Sequence, residues 1–231
     1  MKKTFVLVLT VFFCCSYSSF AQRSMARADK LGIGIGPSFL YGDNTGVMSD
    51  FKFKILPTAS LDFTKYIDTH WDVRGTLGWQ RIGSGDFYSE NLKRNISEAG
   101  YPFAFNGSMI FADVMPTYII NPDRRGFLPS LVKVYGGAGL GVFHSIRKDE
   151  TRIYAGDTFT TEISNASNTG IYFPVRVGAF IEVPELNGEI GLEGAMLISP
   201  FANMEGNSKQ QKRIKSDIAV QLQVFYRLYL W

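Results

Sequence analysis

Apolar and polar residues alternate through residues 217–231. Every even position from Ile218 to Leu230 is apolar or aromatic. The odd positions carry Asp217, Gln221, Gln223 and Arg227, and Trp231 comes last. A period of two sets one face in grease and the other in a polar space. Strands of soluble proteins are usually about 5–6 residues long, whereas a strand that crosses an outer membrane needs about 9–11 and a tilt. The segment therefore reads as a membrane-crossing strand.

The same reading gives eight strand-like segments, approximately 30–41, 53–66, 71–83, 107–120, 131–145, 170–183, 188–199 and 215–231. In the third, Trp71, Val73, Leu77 and Trp79 oppose Asp72, Arg74, Thr76 and Gln80. In the sixth, Ile171 to Val183 at odd positions oppose Arg176 and Glu182, and in the seventh Ile190, Leu192, Met196 and Ile198 oppose Glu189 and Glu193. Short connections at 67–70, 121–130 and 184–187 alternate with long polar ones at 42–52, 84–106, 146–169 and 200–214. The expected fold is all-β: an antiparallel up-and-down transmembrane β-barrel of eight strands, with short periplasmic turns and long extracellular loops. Pro57, Pro116 and Pro174 fall inside strands and read as bulges or strand ends, because proline has no ladder donor. Two aromatic girdles are expected. Tyr66, Trp71, Tyr118, Phe127, Tyr226, Tyr229 and Trp231 form the periplasmic one, and Phe39, Tyr41, Trp79, Phe87, Phe143 and Tyr172 the outer one.

The amino terminus changes the compositional picture. Lys2 and Lys3, an apolar run from Thr4 to Cys15 and the small-x-small Ser19-Phe20-Ala21 make the three parts of a signal peptide. The expected organisation is a leader over 1–21 and a barrel domain over 22–231, exported to a bacterial outer membrane. Cleavage removes both cysteines, Cys14 and Cys15, so no disulfide chemistry is expected. It also removes two of 24 basic residues and none of the 21 acidic ones, taking a net charge of +3 to about +1. The basicity of the precursor is therefore no nucleic-acid signal.

This layout resembles the OmpA-like outer-membrane barrels over the whole mature chain. Within that class, Gly32-Ile33-Gly34-Ile35-Gly36 with Tyr41-Gly42-Asp43 resembles the first strand and loop of the PorG-like barrels of the type IX secretion system. Tyr66 to Asp86 and Tyr135-Gly136-Gly137-Ala138-Gly139-Leu140-Gly141-Val142-Phe143 are similar to that family too. The terminal aromatic resembles the signal read by the barrel-assembly machinery, with Trp231 in place of the commoner Phe. The resemblance implies lipid, lipopolysaccharide and that machinery as partners, and a non-enzymatic role in the envelope or in a secretion apparatus.

Candidate chemistry lies inside the barrel. Parity turns Asp62, Asp72, Arg74, Lys133, Arg176, Glu182, Glu189, Glu193 and Arg227 inward. A barrel of eight strands has room there only for side chains, so these residues are expected to form an ionic plug; a narrow gated pore is the alternative. A small outer-membrane lipid-modifying enzyme is the other alternative: His144-Ser145 with Asp149 and Glu150 has the residue types of a hydrolase triad, but neighbours in a strand point to opposite faces. The glycines at 32, 34 and 36 lack the dinucleotide spacing and are expected to make room for large lumen side chains; the cluster from Gly136 to Gly141 reads as a strongly curved strand. Lys209, Lys212, Arg213 and Lys215 form a basic patch suited to lipopolysaccharide phosphates. No residue spacing supports a metal or cofactor site. Binding to envelope proteins is expected in the outer loops 84–106 and 146–169, with their many aromatics, or in the periplasmic turns.

Overall fold

A computed structural model describes residues 28–42, 45–47, 50–84, 87–123, 130–155, 158–201, 204–205 and 216–230. The leader, Phe127, Trp231 and the basic patch at Lys209, Lys212, Arg213 and Lys215 lie outside them.

The staves are β1 (Lys30–Tyr41), β2 (Leu56–Tyr66), β3 (Trp71–Gly83), β4 (Ala104–Ile119), β5 (in two pieces, Lys133–Ala138 and Leu140–Ala155), β6 (Thr158–Val183), β7 (Gly188–Ser199) and β8 (Asp217–Tyr229). Each pairs antiparallel with its neighbours in sequence. The ring closes where β1 meets β8, from Lys30 opposite Tyr229 to Tyr41 opposite Ile218. A small ribbon of Gly46–Val47 with Lys52–Phe53 lies between β1 and β2. The chain is thus an eight-stranded up-and-down barrel.

Burial alternates along the membrane-crossing part of every stave, and it runs inside out. On β1, Leu31, Ile33 and Ile35 are exposed while Lys30 and Ser38 are buried. On β8, Leu222 and Val224 are exposed while Gln221, Gln223 and Arg227 are buried. Trp71, Val73, Leu77, Ile110, Val114, Val142, Val177 and Leu192 continue the outer belt around the ring. An apolar belt of this extent around a closed barrel belongs in a bilayer, where closure leaves no backbone group unpaired at an edge. The protein is an outer-membrane β-barrel. No helix among the described residues is long and apolar enough to cross a membrane; the strands do so.

Four expectations change. Residues 146–169 are not a loop: β5 and β6 run on as one ladder to Ala155 opposite Thr158. The 84–106 connection contains a helix, α1 (Glu90–Glu98), capped by Ser89, whose hydroxyl accepts from the Leu92 N–H. Pro57, opposite Pro37, is the second residue of β2 and lies at a strand end as expected. Pro116 and Pro174 are neither bulges nor strand ends: they flank the point where β5 is interrupted at Gly139, and the register passes through unchanged. Phe143 and Tyr172 belong to the lumen rather than to the outer girdle. Their rings lie over Gly170 and Gly141, where a side chain would collide with them.

Candidate functional site

The lumen is stratified. In its periplasmic half, Glu193 on β7 accepts from Arg74 Nη1 (2.6 Å), Tyr135 Oη (2.5 Å), Arg176 Nη1 (3.3 Å) and Arg227 Nη2 (3.4 Å). Arg176 also binds Asp113, which accepts from Tyr172 Oη at 2.6 Å. Arg227 reaches Asp62 through Nε (2.8 Å) and Glu189 through Nη1 (3.2 Å). Lys30 binds Glu189 at 2.8 Å and stands 4.0 Å from Asp72. All these groups are buried. Guanidinium and carboxylate pairs interlock in this way because ions taken out of water need both Coulomb partners and hydrogen bonds. The glycines of β1 make the space: a Cβ at Gly32 would meet Asp62 and Arg227, and one at Gly34 would meet Gln223 and Ser60.

Of the nine residues expected in the lumen, Asp62, Asp72, Arg74, Lys133, Arg176, Glu189, Glu193 and Arg227 are buried. Glu182 is exposed at the periplasmic mouth, where it accepts from Lys133 at 2.5 Å alongside Asp123. Lys30, Asp113, Tyr135 and Tyr172 complete the network and were not among the expected set. Asp113 has an inward parity, but its neighbours Phe111 and Met115 are also inward, so β4 shows no polar face. A small polar cavity beside Arg74, Thr117 and Asp72 is of a size and lining suited to water.

Above the ions lies a neutral layer. Ser60 Oγ donates to Gln223 Oε1 (2.7 Å), Gln223 Nε2 to Gln221 (3.1 Å), and Gln221 Nε2 to Gln80 (2.8 Å). The extracellular half is then filled by Leu40, Ile82, Phe105, Met109, Phe111, Phe143 and Leu197. Among the described residues, ions fill the lumen below, and packed rings with the buried Arg147–Asp149 pair fill it above.

His144 and Ser145 fall on opposite faces. The His144 ring is exposed and shares a hydrogen bond with Thr169 Oγ1 (2.8 Å), while Ser145 is buried inside. They therefore cannot act on one substrate atom. Among the described residues no cluster of His, Cys, Asp and Glu could hold a metal ion.

Outside the belt, the β5–β6 hairpin and α1 form one projection. Arg152 on β5 binds Glu90 of α1, and its guanidinium lies 4.1 Å from the ring centroid of Phe159 and 4.9 Å from that of Phe103. Arg94 lies over Tyr154 at 5.2 Å, and the Arg152 N–H donates to Ser97 Oγ at 3.3 Å. Arg152 holds the Glu90 carboxyl below its ordinary value of 4.5, chiefly through that hydrogen bond. Sequence reasoning placed aromatics here without the arginines that they sandwich.

No protein-family model matches the chain, and neither does any curated protein. Among solved structures it is similar to Ail, the attachment invasion locus protein of Yersinia pestis, in complex with the heparin analogue sucrose octasulfate. The identity is 15%, over 88% of this chain and 100% of that one, with a TM-score of 0.43. Neisserial surface protein A is 13% identical over 87% of this chain and 96% of that one, with a TM-score of 0.44. A major outer membrane protein of Thermus thermophilus is 13% identical over 87% of this chain and 100% of that one, with a TM-score of 0.42.

Proposed function

We propose that the protein is a sealed, non-catalytic barrel that holds its extracellular hairpin and helix out for a protein partner in the envelope. The observation that carries this reading is the filled lumen. An interlocked ionic half beneath a packed, largely apolar half that also buries the Arg147–Asp149 pair favours a scaffold over a channel. The separation of His144 from Ser145 speaks against lipid hydrolysis at that pair. What remains is a projection whose own contacts make it rigid, and rigid scaffolds commonly carry binding in such outer segments. The Gly-aromatic motifs of β1 and β5 favour a partner in a secretion or surface-assembly apparatus.

Two measurements test it. Purified protein in planar bilayers is expected to give no conductance steps, and regular single-channel currents would overturn the scaffold reading. Replacing residues 147–166 by a two-residue turn is expected to leave heat-modifiable gel migration intact. Co-purification of the envelope partner from gently solubilised membranes should then be lost; retention of the partner would move the binding surface elsewhere.

A further inference from the structure

The projecting hairpin has two edges, and they are treated differently. On the β5 side, β4 pairs as far as Ala104 opposite Glu150. Beyond it the Phe103 N–H donates to the Glu150 carbonyl (3.0 Å) and α1 covers Arg152. On the β6 side, β7 pairs only up to Ile198 opposite Phe173. The chain then turns away at Pro200, which has no N–H to offer a ladder. Above that point, nothing among the described residues pairs with the outer side of β6.

The direction of the backbone follows from one bond. The Gly139 N–H donates to the Pro174 carbonyl (3.0 Å), its direct partner across the ladder. In an antiparallel pair such positions recur every second residue. Even-numbered residues of β6 therefore bond to β5, and Phe159, Thr161, Ile163, Asn165 and Ser167 point N–H and C=O outward. Residues 159–165 are all exposed.

Edges left open are normally blunted by proline, lysine, a bulge or a cover. Residues 159–167 contain no proline, glycine or basic residue, and Glu162 is their one charge. The β5–β6 register carries no bulge from Gly141 to Ala155. We infer that this edge is a docking site for an extended segment of a different polypeptide, which adds as a strand antiparallel to β6 in the place that β7 vacates at Pro200. This rests on the partner-binding reading above. A second copy does not fit. Two copies in one membrane are related by an axis along its normal, which leaves their hairpins running in the same sense. A symmetric strand pair must instead be antiparallel. The site also sets the chemistry of the segment. It must be free of proline at alternate positions, apolar where it passes Phe159 and Ile163 on one face, and polar opposite Thr160, Glu162 and Ser164 on the other.

The test places a photo-crosslinking amino acid at Thr161, Ile163 or Asn165 of the full-length protein in cells, with Arg94 on α1 and Lys148 on β5 as off-edge positions. The expected result is that the three edge positions trap one continuous segment of one partner, at residues two apart and in reverse order. The double variant Thr161→Pro, Asn165→Pro removes two outward donors and no β5–β6 hydrogen bond. It should cut the trapped yield about tenfold with heat-modifiable migration unchanged. If that variant fails to fold, the order of trapped residues still decides. Scattered trapping, trapping of residues 202–215 of the same chain, or trapping of β6 in another copy would overturn the inference. If the partner is trapped only from Arg94 and still co-purifies with the proline variant, partner binding stands and the edge site falls. If no partner co-purifies at all, both fall.

Discussion

Glu193 shows how much one side chain carries. Three guanidiniums and a phenol converge on its carboxylate. Glu193→Ala leaves those cations facing each other in a buried space. An uncompensated buried charge of this kind costs about 3–5 kcal/mol. A drop of that size is expected in urea unfolding from lipid vesicles, with no conductance gained. Glycines differ from one another just as sharply. A Cβ at Gly36 would run into the Leu222 carbonyl oxygen, which is backbone and cannot swing aside. At Gly75 the nearest atom is 4.0 Å away. Gly36→Val should therefore lose the heat-modifiable form, while Gly75→Val should keep it. Most of the ionic network was legible from parity alone, since Asp72, Arg74, Glu189, Glu193 and Arg227 lie on strands with one clean polar face. Asp113 was hidden because β4 is apolar on both faces. Phe143 and Tyr172 read as girdle residues because an aromatic near a strand end looks the same from either side; the glycines facing them decide the matter.

At the scale of elements, α1 is held to the hairpin by charge as well as by packing. The Glu90 carboxyl is lowered by its bond from Arg152. A depressed folded value means that the contact contributes fully above 4.5 and is lost as the pH falls through the lowered value. The protection of the amides of residues 90–98, their exchange taken relative to the intrinsic rate at each pH, should thus be high at neutral pH and fall in acid. Arg152→Ala should lower it at both pH values, and an acid dependence surviving in that variant would remove Arg152 from the account. The hairpin itself was not legible. Residues 158–169 are mostly Ser, Thr and Asn and carry no hydrophobic period. They are strand because of the ladder to β5, outside the membrane where neither face must be apolar. A polar stretch of this composition reads as a loop unless its partner strand is known.

For the whole molecule, the inverted burial and the closed ring were the parts most readily read from the chain, because a bilayer imposes period two on every stave at once. The seam between β1 and β8 has a further consequence. It joins residues about 190 positions apart. Arg227 on β8 finds Asp62 across that seam, and Glu189 on β7 finds Lys30. Until the ends meet, the Arg227–Asp62 and Lys30–Glu189 pairs cannot form and the open edges have unpaired amides, and hydrocarbon tolerates neither loss well. Membrane entry and ring closure are therefore one event in time. A half-inserted chain is not a resting stage, and a substitution that delays the seam should lengthen exposure to periplasmic proteases before it changes the finished barrel.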